Sequence, residues 1–275
     1  MDHDIHKYFE SAVPLVKQVG EIVRENIYKE KTVDLKESRV DFVTETDKQV
    51  EEILINGLQS IYPNHKFIGE ESTSEINKVK LTDDPTWIID PVDGTMNFVH
   101  SNPCVGVSVG LYINKEPKVG IVYLPVFDYL FTAIENEGAF MNGNKIQVSK
   151  VKAFSDALVI IEGGSSREPA KVDCMVENFR TILNEAHGFR TSGSAVYNIT
   201  SVASGGADCY LEFGCHAWDM AAGATIIKEA GGVIMDPSGQ PFDIMSRRLI
   251  CASTEELAKE ICSKIKQNYP KRDDA

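Results

Sequence analysis

The sequence predicts a mixed α and β protein whose two halves follow different rhythms. Three observations carry this. Ile5, Phe9, Ala12, Val16, Val19, Val23 and Ile27 recur at three- and four-residue steps, the period of an amphipathic helix. From Val105 the period falls to two, and strand-like runs follow one another with no helix between them. After residue 150, apolar runs of strand length alternate with helical stretches. Residues 1–148 therefore read as α+β with an antiparallel sheet, and residues 149–275 as α/β with a mixed sheet. No linker-like composition marks the seam near 145–155, so one compact unit is expected.

In chain order, Pro14 interrupts the first helical pattern and should kink it or mark a fresh start. Residues 29–39 are polar and read as a mobile loop. Thr44-Glu45-Thr46-Asp47 opens a second helix, with Val50, Ile53, Leu54, Leu58 and Ile61 on one face and Pro63-Asn64 as its stop. Residues 66–69 read as a short strand ending in Glu70-Glu71. Trp87-Ile88-Ile89-Asp90 is a buried strand; Pro91 restricts the residue before it, so Asp90 is expected to be the last extended position. Residues 105–111, 119–124 and 130–134 form a meander, and Met141-Asn142-Gly143-Asn144 a turn. In the second half, strands are expected at 158–161, 209–213, 233–235 and 249–252. Helices are expected at 169–187, 195–203 and 219–230, with a last one running from Ser253 through Ile265.

Composition narrows the function. The 275 residues, 43% of them hydrophobic, can bury a substantial core. With 28 Lys and Arg against 41 Asp and Glu, the formal charge of −13 argues against nucleic acid or an anionic membrane as partner. That charge also opposes an anionic substrate unless metal ions invert the local sign. The six cysteines show no C-x-x-C spacing and read as free thiols of a reducing compartment. No signal-peptide core and no run of membrane-spanning length is present, so a soluble cytoplasmic protein is expected.

Three groups of acids end apolar strands or open helices: Glu70-Glu71, Asp90 with Asp93, and Asp219. Carboxylates, a backbone carbonyl and water are the ligand set of Mg²⁺ or Mn²⁺. Pro91-Val92 turns the chain between two of the acids, which leaves the Val92 carbonyl at the same corner. Gly94 allows close backbone approach, and Thr95 suits a helix start whose free amides can meet a phosphate. Asp47 and Thr95 are candidates to orient an attacking water, since a hydroxyl relaying to a carboxylate polarises water beside a metal. Each acid taken alone also fits a solvated cap; their joint occurrence is what points to a site.

Gly69-Glu70-Glu71-Ser72, Trp87-x-x-Asp90-Pro91-x-Asp93-Gly94-Thr95-x-Asn97-Phe98 and Trp218-Asp219-x-Ala221 together resemble the inositol monophosphatase family of Mg²⁺-dependent, lithium-sensitive phosphatases. Gly205-Gly206-Ala207-Asp208, Glu229-Ala230-Gly231-Gly232 and Ser246-Arg247-Arg248 extend the resemblance over nearly the whole chain. It implies a layered α-β-α-β-α sandwich, usually a homodimer. Glu70, Asp90 and the Val92 carbonyl would hold one metal, and Asp90, Asp93 and Asp219 a second. Glu70 with waters would hold a weaker third; Lys36 reads either as a solvated lysine or as a side chain approaching that metal. Thr95 relayed to Asp47 would activate water. The Gly94 and Thr95 amides would bind phosphate, while Asp93, the Ala195 backbone, Glu212 and Asp219 would contact polyol hydroxyls. His216, Trp87 and Trp218 read as packed side chains rather than ligands.

The reading is a phosphomonoesterase acting on inositol monophosphate or a similar sugar phosphate. Fructose 1,6-bisphosphate, 3′-phosphoadenosine 5′-phosphate and the 2′-phosphate of NADP stay open as substrates. Two rivals are weaker. An aspartyl-phosphate mechanism needs acids two apart, and here they are three apart; a regulator without catalysis should lack one of the acids.

Overall fold

Residues 4–35, 42–73 and 80–275 are described by the computed structural model. Helix α1 (Ile5–Asn26) is capped by Asp4 and runs unbroken through Pro14. Pro14 lies on the exposed face, where the carbonyl that loses its donor can take water instead. Strand β1 (Val33–Leu35) pairs antiparallel with β2 (Phe42–Thr44). This corrects the loop expected at 29–39: its polar composition hid a strand whose pairing partner lies beyond Lys36, and Lys36 itself falls outside the described residues. Thr44 then caps α2 (Glu45–Ile61), with Asp47 reaching back to the Thr44 amide in a full capping box.

A seven-stranded sheet follows, of β3 (Lys66–Gly69), β4 (Thr86–Asp93), β5 (Gly106–Ile113), β6 (Glu116–Leu124), β7 (Tyr129–Ile134), β8 (Gly138–Met141) and β9 (Asn144–Ile146) in that order. The short helix α3 (Thr95–Val99) separates β4 from β5. The sheet is antiparallel from β4 onward, and β3 alone joins parallel to β4. Asn142 and Gly143, both with positive φ, make the two-residue turn between β8 and β9.

The second half holds β10 (Leu158–Ile161), α4 (Pro169–Glu185), β11 (Gly188–Arg190), α5 (Ala195–Ala203), β12 (Cys209–Phe213), α6 (Ala217–Glu229), β13 (Val233–Met235), β14 (Arg248–Ala252) and α7 (Glu255–Cys262). Its five strands form a mixed sheet in the order β11-β10-β12-β14-β13. The three-residue β11 carried no alternation long enough to be read from sequence.

Period-two alternation sorts the side chains into layers. In β4, Trp87 and Ile89 pack on α1 and α2, while Ile88 faces α5 and α6. In β12, Tyr210 faces α5 and α6, whereas Cys209, Leu211 and Phe213 face α4 and α7. The result is helices, sheet, helices, sheet, helices. The central layer is thin because α6 is rich in Ala and Gly: a Cβ on Gly110 would lie 2.9 Å from that of Ala221, and one on Gly120 would lie 2.3 Å from the Ala222 carbonyl oxygen. Small residues on both surfaces thus let α6 lie directly on the first sheet. All six cysteines are free, and no described helix is long and apolar enough to cross a membrane.

Candidate metal and phosphate site

The acids converge through an irregularity in β4. Alternation would send Asp90 and Asp93, three residues apart, to opposite faces of the sheet. Asp90 pairs with Ser108 and Asp93 with Gly106, so three steps on β4 match two on β5. This bulge returns both carboxylates to one side. It also corrects the expected strand end: β4 continues to Asp93, because the missing N–H of Pro91 falls where the ladder is already interrupted. Asp219 arrives from the first turn of α6, where its Oδ2 accepts from the His216 amide at 2.7 Å. One oxygen from each of Asp90, Asp93 and Asp219 lies within 4.8 Å of the others.

Asp90 is 1% exposed and Asp93 6%. Among the described residues, no lysine or arginine forms an ion pair with any of the three acids. Burial first, then Glu70, Asp93 and Asp219, push the Asp90 carboxyl well above its usual range. Burial, then Asp93 and Glu70, do the same to Asp219 against the His216 amide. Asp93 is pushed up to about 6, burial outweighing donors from Ser194, Val196 and Ala195. Crowded hard oxygens lacking a protein cation are what an oxygen-seeking divalent ion requires. The residues present fit Mg²⁺ or Mn²⁺.

Beside the acids, Thr95 Oγ1 lies 3.3 Å from Asp47 Oδ1 and 3.1 Å from the Val92 carbonyl. Asp47 is wholly buried, with its other oxygen held by the Thr44 amide at 3.0 Å and by the Thr44 hydroxyl. Gly94 takes φ +85° to turn the chain from β4 into α3, and a Cβ there would lie 3.0 Å from the Cys104 carbonyl oxygen. The Ala195 amide, expected to meet substrate, donates instead to Asp93 Oδ1 at 3.2 Å, with Val196 N at 3.0 Å and the Ser194 hydroxyl on Oδ2. The start of α5 is therefore a cradle for Asp93, joining the two halves of the chain.

The inositol monophosphatase family model matches residues 4–269. The chain belongs to that family. It is 48% identical to human inositol monophosphatase 1 over 264 residues, 96% of this chain and 95% of that protein. Among solved structures, the inositol monophosphatase of Thermotoga maritima superposes with a TM-score of 0.83 at 29% identity, covering 93% of this chain and 95% of that one. Staphylococcus aureus inositol monophosphatase-II with inositol monophosphate bound gives a TM-score of 0.77 at 25% identity, covering 93% of each chain. The same enzyme has been solved with 2′AMP bound, at TM-score 0.79 and 26% identity over 94% of this chain and 93% of that one.

Other residues that the family resemblance singles out lie around this centre. Half-buried Glu70 ends the β3 side and lies close enough to raise the Asp90 and Asp219 carboxyls. Glu212 on β12 is buried, accepts from the Tyr210 hydroxyl and is pushed up to about 7, mainly by burial and then by Glu162. His216 is packed: its ring stacks on Trp218 and both its nitrogens are engaged.

Sequence reasoning missed the residues that hold these groups. Buried Glu51 accepts from the amides of Glu71 at 2.8 Å and Ser72 at 2.7 Å, fixing the turn after Glu70. Glu162 accepts from the amides of Ser192 and Gly193 and from the Asn198 side chain, ordering the approach to α5. Lys171 is 4% exposed, and its charge draws the Glu212 carboxyl down against the effect of burial. Ser194, directly before an apolar helical run, could have been read as an N-cap; nothing local marks the other three.

Proposed function

We propose that this chain is a Mg²⁺-dependent phosphomonoesterase that hydrolyses inositol monophosphate by direct attack of water. The observation that carries the reading is one corner that gathers buried Asp90 and Asp93 with half-buried Asp219, paired to no lysine or arginine among the described residues, with the Thr95–Asp47 pair beside them. Glu70, Asp90, the Val92 carbonyl, Asp93 and Asp219 would hold two to three Mg²⁺ ions, with Mn²⁺ able to substitute. Bound there, the metal supplies charge neutralisation for the phosphate and acidifies water.

The chain's own groups do the positioning. The Thr95 hydroxyl has one proton and two acceptors within reach, Asp47 Oδ1 and the Val92 carbonyl. Donating to Asp47, it leaves lone pairs on Oγ1 to accept from the attacking water. As the water passes a proton to Oγ1, Thr95 passes its own to Asp47 Oδ1, so the proton ends on a carboxylate whose other oxygen is fixed by Thr44. The amides of Gly94 and Thr95 face the phosphate. Asp93, Asp219, Glu212 and the Ala195 backbone border the leaving polyol, Ala195 acting through the orientation it gives Asp93.

The capture of 2′AMP by the Staphylococcus aureus relative favours nucleotide 2′-phosphates as a second substrate class. Lithium inhibition, a homodimer, a cytoplasmic location and cooperation of residues 1–148 with 149–275 in one catalytic unit belong to the same reading. Phosphate release from a panel of inositol, sugar and nucleotide phosphates, with and without Mg²⁺ and Li⁺, tests it. Inositol monophosphate should turn over only with metal, and Thr95→Ala should lower kcat about 100-fold. Metal-independent turnover would refute the assignment.

A further inference from the structure

The segment after α7 returns to the start of α6 and seats Asp273 there, with its side chain 3% exposed. Asp273 Oδ2 accepts from the Ala217 amide at 2.8 Å, and Oδ1 lies 2.7 Å from His216 Nδ1. On the far edge of the imidazole, Arg247 Nη2 lies 2.8 Å from Nε2 and donates to the Gly214 carbonyl at 3.0 Å. A guanidinium can only donate, so Nε2 is the acceptor and Nδ1 carries the proton given to Asp273. The ring is thereby held in one tautomer, flat on Trp218 with centroids 4.5 Å apart and an interplanar angle of 6°.

The clamp is itself anchored. The Asp273 amide donates to the Met245 carbonyl at 3.1 Å, and the Gly214 amide donates to the Arg247 carbonyl at 2.7 Å. Arg247 is in the left-handed region, with φ +62°. His216 is the N-cap residue of α6, and its amide is the donor that fixes Asp219. Asp273 thus caps the Ala217 amide directly and immobilises His216, whose amide one position earlier holds Asp219.

We propose that Asp273 is a positioning residue for the metal centre: through Ala217 and His216 it holds the first turn of α6 so that Asp219 stands beside Asp90 and Asp93. The inference rests on Asp219 being a metal ligand. Carboxylates fixed by surrounding hydrogen bonds bind metal more tightly than mobile ones, because less ordering accompanies binding.

The test is calorimetric titration of the full chain with Mn²⁺, amide hydrogen exchange over residues 214–220, and turnover of inositol monophosphate against Mg²⁺ concentration. Asp273→Ala should weaken Mn²⁺ binding about tenfold and speed exchange at His216 and Ala217, while kcat at saturating Mg²⁺ stays within about threefold. Asp273→Asn keeps an acceptor for Ala217 but presents N–H to the protonated Nδ1, so its loss should be intermediate. This second variant keeps the question answerable if alanine prevents folding. Arg272→Ala removes the neighbouring ion pairs to Asp243 and Asp274 and should leave metal binding unchanged. Mn²⁺ affinity within twofold of wild type in both Asp273 variants, or an equal loss in Arg272→Ala, overturns the proposal. A wild type that binds Mn²⁺ but releases no phosphate refutes the phosphatase reading alone, and the ratio of affinities still judges Asp273. A wild type that binds no Mn²⁺ overturns both.

Discussion

Two carboxylate sites of this molecule have opposite charge balance. Asp236, at the end of β13, receives Arg248 in a two-pronged pair, Nη2 to Oδ1 at 2.7 Å and Nε to Oδ2 at 2.9 Å. Burial pushes the Asp236 carboxyl up, but Arg248 and the Ser238 donors outweigh it and hold it below the usual range. Arg248 is further fixed by the Asn268 carbonyl, Gln267 and the face of Tyr269. At Asp90, Asp93 and Asp219 burial meets more negative charge instead, and all three carboxyls move upward. One site is complete within the chain. The other has no paired lysine or arginine among the described residues, the charge balance that suits the cation-binding role proposed for it.

Breaking the second site should therefore abolish function without loss of stability. Asp90→Asn should reduce phosphate release by about 1000-fold at saturating Mg²⁺, since the acid serves two proposed metal positions. The same substitution should raise the melting temperature of the metal-free protein, because one of several crowded charges is gone. A lowered melting temperature would show that Asp90 is held by an interaction within the chain. Breaking the first site should do the reverse. Arg248→Met should cost about 3 kcal/mol in urea unfolding by leaving Asp236 without its partner, while the Mg²⁺ requirement stays unchanged.

The smallest effect is a pH dependence of opposite sign at the two sites. Asp236 has a lowered folded pKa, so its contribution is present above the unfolded value and is lost as pH falls through the folded one. The raised acids stabilise below their unfolded values, and that contribution is lost as pH rises through about 6 for Asp93 and about 7 for Glu212. In chelator, the melting temperature should fall between about pH 5 and pH 8, and saturating Mg²⁺ should remove the slope. Calorimetric scans at a series of pH values measure both. A flat chelated profile would mean that the acids are neutralised by groups already in the chain.

Much of this was legible in one dimension. The period of α1, the capping box at Thr44–Asp47, the meander and the Asn142-Gly143 turn are local patterns, so sequence reading placed those elements to within a few residues. It faltered where pairing is not local. β1 lies in a polar stretch and exists by pairing with β2, and β11 is three residues held against β10. The end of β4 was misplaced because the effect of Pro91 depends on a bulge, which is defined only against β5.

The sequence by itself determined the chemistry: acids, a carbonyl corner and a hydroxyl, as residue types at strand ends and helix starts. Tertiary structure decided which of them meet. Asp90 and Asp93 share a side because β5 is one step shorter across the bulge, and Asp219 joins them because Gly110 and Gly120 let α6 lie on the sheet. Glu51, Glu162 and Asp273 hold the site from distant points of the chain. Side-chain identity is a local property, whereas the crowding that shifts an acid and calls for a cation arises only when separate segments are brought within a few ångströms.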